Sequence, residues 1–178
     1  DSYDAAYLDL QHNWGYFPSI SAGWNITNEK FMQSINRNIL SSAKLRVSYG
    51  KNGSISNLGG YMYASSLNAG VNNYDMNNKL YTGIYPSLYL ANPKLRWEES
   101  KQFDAGIDVR FFKDKLSLTA DYFNKNTDGL LIQSSANLTT GTNFVFQNVG
   151  IVNNHGLEFD LEWKDVLKNE IKYGIKAN

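Results

Sequence analysis

Apolar and polar residues alternate with a period of two in six separate stretches of this chain, and no other feature constrains its fold as tightly. In an extended strand, successive side chains point to opposite faces, so such alternation marks a strand whose two faces meet different surroundings. Nearest the start, Ile20, Ala22, Trp24 and Ile26 oppose Ser19, Ser21, Gly23 and Asn25. From Ala43 to Gly50, Ala43, Leu45, Val47 and Tyr49 share one face, while Lys44, Arg46, Ser48 and Gly50 share the other. From Gln102 to Phe111, Phe103, Ala105, Ile107, Val109 and Phe111 oppose Gln102, Asp104, Gly106, Asp108 and Arg110. Leu116, Leu118, Ala120 and Tyr122 oppose Ser117, Thr119 and Asp121, with Phe123 breaking the pattern. Leu157, Phe159, Leu161 and Trp163 oppose Glu158, Asp160, Glu162 and Lys164; the last stretch sets Ile171, Tyr173, Ile175 and Ala177 against Lys172, Gly174 and Lys176. The pattern predicts an all-β fold of about six antiparallel strands.

The links between these strands differ in length. Phe112 to Lys115 and Asp165 to Asn169 are short, and Thr27 to Ser42 is intermediate, with a helical turn expected around Glu29 to Ile35. Lys51 to Arg96 and Thr127 to Gln147 are long and read as loops. Short and long links alternate, as in transmembrane barrels with short periplasmic turns and long external loops. Trp24, Phe111 and Trp163 stand on the apolar face just before the shorter links, where an aromatic girdle at the periplasmic interface is expected. A two-layer soluble sheet also carries aromatics at its strand ends. Alternation alone does not decide whether the apolar face meets lipid or a second sheet.

Composition narrows the classes further. Seventeen basic residues balance seventeen acidic ones, so there is no electrostatic footprint for nucleic acid, and none is expected as a partner. Cysteine is absent, which removes disulfides, thiolate metal sites and a cysteine nucleophile. No run approaches the ~20 apolar residues of a membrane-spanning helix; barrel strands need only about 9 to 11 residues each. Six strands are fewer than the roughly eight that close the smallest outer-membrane barrels. The chain begins Asp1-Ser2-Tyr3-Asp4 without Met and stops at Asn178 inside an alternating stretch, so a segment of a longer protein is expected.

Four stretches carry a family resemblance. The first is Trp14-Gly15-Tyr16-Phe17-Pro18-Ser19-Ile20-Ser21-Ala22-Gly23-Trp24, followed by Asn28-Glu29-Lys30-Phe31. The second is Ala43 to Gly53; the third runs from Asn92-Pro93 through Leu95, Trp97 and Glu98 to Phe103, Gly106 and Asp108. The fourth is Gln147-Asn148-Val149-Gly150 with Asn154, Gly156, Leu157 and Glu158 following. Their order and spacing resemble the SusC/RagA-like TonB-linked outer-membrane transporters, over roughly the C-terminal half of that family's barrel. Asp1 to Asn13 match no recognised pattern and read as a variable external loop. The resemblance implies that residues 1–178 are a partial TonB-dependent receptor barrel, without plug domain or TonB box. It further implies a barrel of about twenty-two strands in a Gram-negative outer membrane. Import of glycan or peptide fragments, a SusD-like surface lipoprotein and TonB as partners, and contact with membrane lipid are implied in the same way.

The candidate sites follow. Arg46, Asp104, Asp108, Arg110, Asp121, Glu158 and Asp160 are expected to face a water-filled lumen. Trp14, Phe17, Pro18, Trp24, Asn92, Pro93, Trp97, Glu98, Asn148, Gly150, Asn154 and Gly156 are the family-motif positions, expected to be structural. Tyr61, Tyr63, Tyr74, Tyr81, Tyr85 and Tyr89 crowd the Lys51–Arg96 link among Asn and Gly, and are candidates for contact with substrate or lipoprotein. Packing of the loop onto its neighbours explains these tyrosines equally well.

Competing functions rest on less. Glu98 and Glu99 beside Trp97, with Asp104 and Asp108, offer the paired carboxylates of a glycoside hydrolase, but no third group accompanies them. His12 and His155 lie far apart without ligand-spaced companions, so neither metal nor cofactor is expected. Gly59-Gly60 and Gly141 lack phosphate-loop spacing and read as hinges. A soluble β-sandwich that binds carbohydrate through exposed aromatics is the alternative to the transporter.

Overall fold

The computed structural model describes residues 2–4, 7–56, 58–167 and 171–178. The strands in chain order are β1 Ser2–Asp4, β2 Trp14–Tyr16, β3 Ser19–Asn25, β4 Leu40–Ser54, β5 Leu67–Met76, β6 Lys79–Pro86 and β7 Tyr89–Leu90. They continue with β8 Glu98–Phe111, β9 Leu116–Asp128, β10 Leu131–Ser135, β11 Phe144–Asn148, β12 Ile151–Val166 and β13 Lys172–Ala177. Among the described residues there are three short 3-10 turns, and no helix is long and apolar enough to cross a membrane. The chain divides into two compact units.

One unit comprises residues 18–51, 101–126 and 153–178 and is built on a six-stranded sheet in the order β13-β12-β9-β8-β4-β3. These strands coincide with the six alternating stretches. Cross-strand register shows why they pair: Ile20 faces Tyr49, Ala22 faces Val47 and Trp24 faces Leu45, so the apolar side chains of β3 and β4 are neighbours on one face. Trp163 faces Ile175 and Leu161 faces Ala177 in the same manner, while Glu162 faces Lys176 on the reverse side. A slip of one residue would send every one of these side chains to the wrong face.

The links of this unit modify two expectations. Ile26 is not a strand residue: β3 ends at Asn25, and 3-10 turns at Ile26–Asn28 and Lys30–Met32 follow, where a helical turn is predicted. The indole N–H of Trp24 donates to Glu29 Oε1 at 2.9 Å and the ring packs edge-on to Phe31, which ties this link to the strand end. The short link after β8 turns through three successive left-handed residues, Phe112, Lys113 and Asp114, with φ of 55°, 56° and 67°. Of the short link Asp165 to Asn169, Lys168 and Asn169 lie outside the described residues.

The other unit comprises residues 1–17, 52–100 and 127–152. Here the long links predicted as loops hold secondary structure of their own. Leu67–Met76 and Lys79–Pro86 form an antiparallel hairpin, turned at Asn77 and Asn78, both with positive φ (56° and 58°). Two consecutive left-handed residues are what a tight hairpin turn needs, and Asn tolerates that conformation better than other L residues with a Cβ. Alternation is blurred because β5 bulges between Ala69 and Asn73 and is rich in Asn and Gly. The second long link contains β10 and β11, which pair antiparallel, and β7 adds in parallel to β11.

A small core organises this unit. Leu95 is fully buried against Leu8 and Leu131, with Ile55, Leu58, Met62, Trp97 and Phe146 around them. Phe17 is buried beside them, its ring edge-on to Trp97 at 5.3 Å between centroids. Two glycines admit that ring: a Cβ at Gly53 would stand 2.0 Å from Phe17 Cζ, and one at Gly15 would stand 2.4 Å away. Motif positions Gly15, Phe17 and Trp97 thus interlock as one packed cluster.

Candidate functional site

The polar face of the six-stranded sheet carries a charge cluster centred on Arg46. Its guanidinium spans three neighbouring strands, donating from Nε to Asp108 Oδ2 at 2.7 Å and from Nη2 to Asp121 Oδ1 at 2.9 Å. Asp108 also accepts from Thr119 Oγ1 at 3.1 Å, and Asp104 accepts from Ser48 Oγ and Gln102 Nε2 at 3.1 and 2.9 Å. Such a planar donor fork held by two carboxylates is stronger than a lone surface pair, though solvent reaches it and screens part of the attraction.

The bridge from β4 to β9 passes over β8 at Gly106. A Cβ there would lie 1.9 Å from Asp121 Oδ1 and 2.9 Å from Arg46 Nη2, so only glycine leaves room for the pair. The sequence placed Gly106 in a motif and on the polar face without saying what it does. The signal was available: one glycine in an otherwise long-chained polar face marks a close approach.

The other predicted polar-face residues are distributed more loosely. Asp160 pairs with Lys176 at 3.0 Å, while Arg110 and Glu158 are exposed. Asn154 is exposed; its neighbours Asn153 and His155 hydrogen-bond to each other, and Asn153 donates to Asn124 at 3.0 Å. A Cβ on Gly156 would meet the Phe123 ring at 3.0 Å, so this motif glycine also accommodates a neighbouring side chain.

On the opposite face the apolar side chains lie open. Ile20, Leu157, Phe159 and Ile175 are each more than half exposed. Toward the short links Phe112 stacks between two of the three aromatics expected there, 6.2 Å from Phe111 and 6.4 Å from Trp163, while the third, Trp24, packs on Phe31.

In the loop-bearing unit the motif asparagines act as staples. Asn148 accepts from the Arg96 N–H at 2.9 Å and donates to the carbonyls of Arg96 and Gly129 at 2.8 and 2.9 Å. Asn92 donates to the Phe146 carbonyl at 2.8 Å and accepts from the Lys94 N–H at 3.1 Å. Glu98 Oε2 accepts from the Leu131 N–H at 3.3 Å, and Gly150, with φ of 88°, accepts from the Gly129 N–H at 3.2 Å. Trp97 donates its indole N–H to the Asn13 carbonyl at 3.4 Å, and Trp14 is exposed. Glu98 is thus engaged with backbone, and Asp104 lies in the other unit.

The six tyrosines separate into two groups. Tyr89 is tied down: its hydroxyl bonds Ser66 Oγ at 3.0 Å and donates toward the carbonyls of Tyr61 and Ala64 at 3.4 Å, and its ring rests near Phe144. Tyr74 and Tyr81 face each other across the hairpin and are both largely exposed, with Lys79 Nζ 5.7 Å above the Tyr81 ring. Tyr61 is exposed beside Tyr63; Tyr63 and Tyr85 are half-buried.

A two-faced antiparallel sheet with ionic bridging on one side and open aliphatic and aromatic residues on the other belongs to the class of membrane barrel walls. The family described as "TonB dependent receptor-like, beta-barrel" matches residues 1–178, and the chain belongs to it. Within that family it is a SusC/RagA-like segment. It is 30% identical over 173 residues to TonB-dependent receptor SusC of Bacteroides thetaiotaomicron, covering 94% of this chain and 17% of the relative. A TonB-dependent receptor of Formosa agariphila is 33% identical over 165 residues, covering 93% of this chain and 15% of that receptor. The chain therefore spans about one sixth of the curated relatives it matches. Among solved structures, the RagAB peptide transporter aligns at TM-score 0.77 and 27% identity, over 93% of this chain and 17% of that one. The RagAB peptide importer in its closed-closed state aligns at TM-score 0.78 and 26% identity, over 97% and 19%.

Proposed function

We propose that this chain is a stretch of wall and external loops of a nutrient importer in the outer membrane of a Gram-negative bacterium. The observation that carries the proposal is the contrast between the sheet's two faces. The Arg46–Asp108–Asp121 bridge and the Asp160–Lys176 pair occupy the polar face, and uncovered aliphatic side chains occupy the other. On this proposal lipid covers the apolar face. The polar face, with Arg46, Asp104, Asp108, Arg110, Asp121, Glu158 and Asp160, lines the lumen. The Phe111–Phe112–Trp163 ladder sits at the periplasmic interface. TonB acts on the receptor through the remainder of its length, and a SusD-like surface lipoprotein is the partner at the external loops. The chain supplies transport architecture rather than catalysis, since Glu98 is used as a backbone acceptor.

The tyrosine hairpin is the proposed contact with the imported glycan or peptide, or with the lipoprotein. Tyr74 and Tyr81 present flat apolar faces plus hydroxyls, and few other residues of the hairpin are charged. Its removal is structurally clean, because the Ser87 N–H already bonds the Ser66 carbonyl at 3.2 Å, so the flanking chain ends are neighbours. Excising residues 67–86 from the full-length receptor, with a two-glycine bridge, is expected to leave barrel assembly intact. Uptake or lipoprotein binding should fall by about tenfold or more, the effect of losing one aromatic hot spot. Uptake and lipoprotein binding both at the parental level would eliminate the hairpin contact.

A further inference from the structure

Two cations in the loop-bearing unit are held in place by the two motif asparagines, and neither is spoken for by a strong ion pair. Lys94 and Arg96 line a depression of about 400 Å³ together with Gln147 and an apolar floor that includes Leu90, Val145 and Val149. Asn92 accepts the main-chain N–H of Lys94, and Asn148 grips Arg96 by both its N–H and its carbonyl. The side chains are therefore launched from a fixed backbone; that of Lys94 is exposed, and the Arg96 guanidinium, about half exposed, lies along Gly129. Lys94 has no ion-pair partner among the described residues. Arg96 reaches Asp128 only at 3.8 Å, with both side chains about half exposed, a separation at which solvent screening leaves little attraction. The lining thus keeps a surplus of positive charge, beside an amide that can serve hydroxyl or amide groups and a floor that fits an aliphatic or pyranose face.

We propose that this depression is a recognition site for a carboxylate-bearing solute, with Arg96 as the planar fork and Lys94 as the mobile point charge. Asn92 and Asn148 are positioning residues that act through the backbone. The proposal rests on the reading of this chain as part of an importer whose loops meet the solute, and it deepens that reading by assigning charge to the cargo. A uronic acid and an acidic peptide share the chemistry the site recognises, so the test includes both.

The test titrates purified full-length receptor with hexagalacturonate and hexaglutamate, and with maltohexaose and hexaserine as neutral counterparts. At least one anionic probe is expected to bind. Its affinity should drop by about tenfold for Lys94→Gln and by at least as much for Arg96→Gln, as loss of one charge-assisted contact predicts. Lys94→Arg should restore most of the loss, and binding should weaken with added salt. Both substitutions spare the main-chain bonds to Asn92 and Asn148, so the loop is expected to keep its shape. If neither anionic probe binds, or if the Lys94→Gln/Arg96→Gln receptor binds them as tightly as the parent, the site is overturned. That outcome is separable from failure of the importer reading: the parental full-length receptor would still support solute uptake across the outer membrane if only the carboxylate site were wrong.

Discussion

Substituting Gly106 by alanine is expected to destabilise the six-stranded sheet by about 2 kcal/mol, a large effect for one added methyl group on a solvent-facing strand position. The added Cβ would stand 1.9 Å from Asp121 Oδ1, so the carboxylate must swing away and the Arg46–Asp121 half of the bridge must open. Charge-assisted hydrogen bonds contribute about 1.5 to 3 kcal/mol each, and the exposure of Arg46 and Asp121 places this pair at the lower end. The cost is conditional on the carboxylate. In an Asp121→Ala background nothing crosses Gly106 at that distance, and Gly106→Ala should then cost well under 1 kcal/mol. Urea unfolding of the full-length receptor in detergent, compared across the four proteins of this cycle, measures the coupling. Additive effects would show that Gly106 does not serve the bridge.

The same bridge illustrates what alternation can convey. Period-two patterning assigns Arg46, Asp104, Asp108 and Asp121 to one face of their strands, and the structure brings them together there. Patterning is a property of each strand taken singly, so it contains no information on which acid a given base meets. That depends on strand order and stagger, which place β4, β8 and β9 side by side. Gly106 was legible as an exception in the pattern; its meaning needed the neighbours.

The long links were the least legible part, for a related reason. Strands buried against a sheet announce themselves by apolar alternation, but β5 is bulged and rich in Asn and Gly, so its residues carry almost no periodic signal. The Asn77-Asn78 pair was the one local cue, since few other dipeptides without glycine turn a hairpin so readily. Asn148 was recognisable as a motif residue but not as a clamp on Arg96 and Gly129, because its partners stand 52 and 19 residues away in sequence. Contacts of that separation leave no local trace.

Leu95→Ala tests whether the loop-bearing unit is a packed body or a set of independent loops. Leu95 is fully buried and touches a cluster drawn from segments far apart in the chain, including Leu8, Leu131 and Phe146. Truncating such a leucine costs about 2 to 5 kcal/mol, the value depending on how far the surroundings collapse into the cavity. The cluster is small and ringed by loops, which can settle inward, so about 3 kcal/mol is expected here. That energy is spread over the segments that share the core. Hydrogen exchange in the full-length receptor should therefore quicken by about a hundredfold at the Asn92 amide, which donates to the Met62 carbonyl at 3.1 Å. The Leu131 amide, donating to Glu98 Oε2, should follow it, while the amides paired between β3 and β4 keep their rates. Quickening confined to the immediate neighbours of residue 95 would mean that each loop is held by its own staples. In that case Asn92, Asn148 and Glu98, rather than the leucine core, set the shape of the loops.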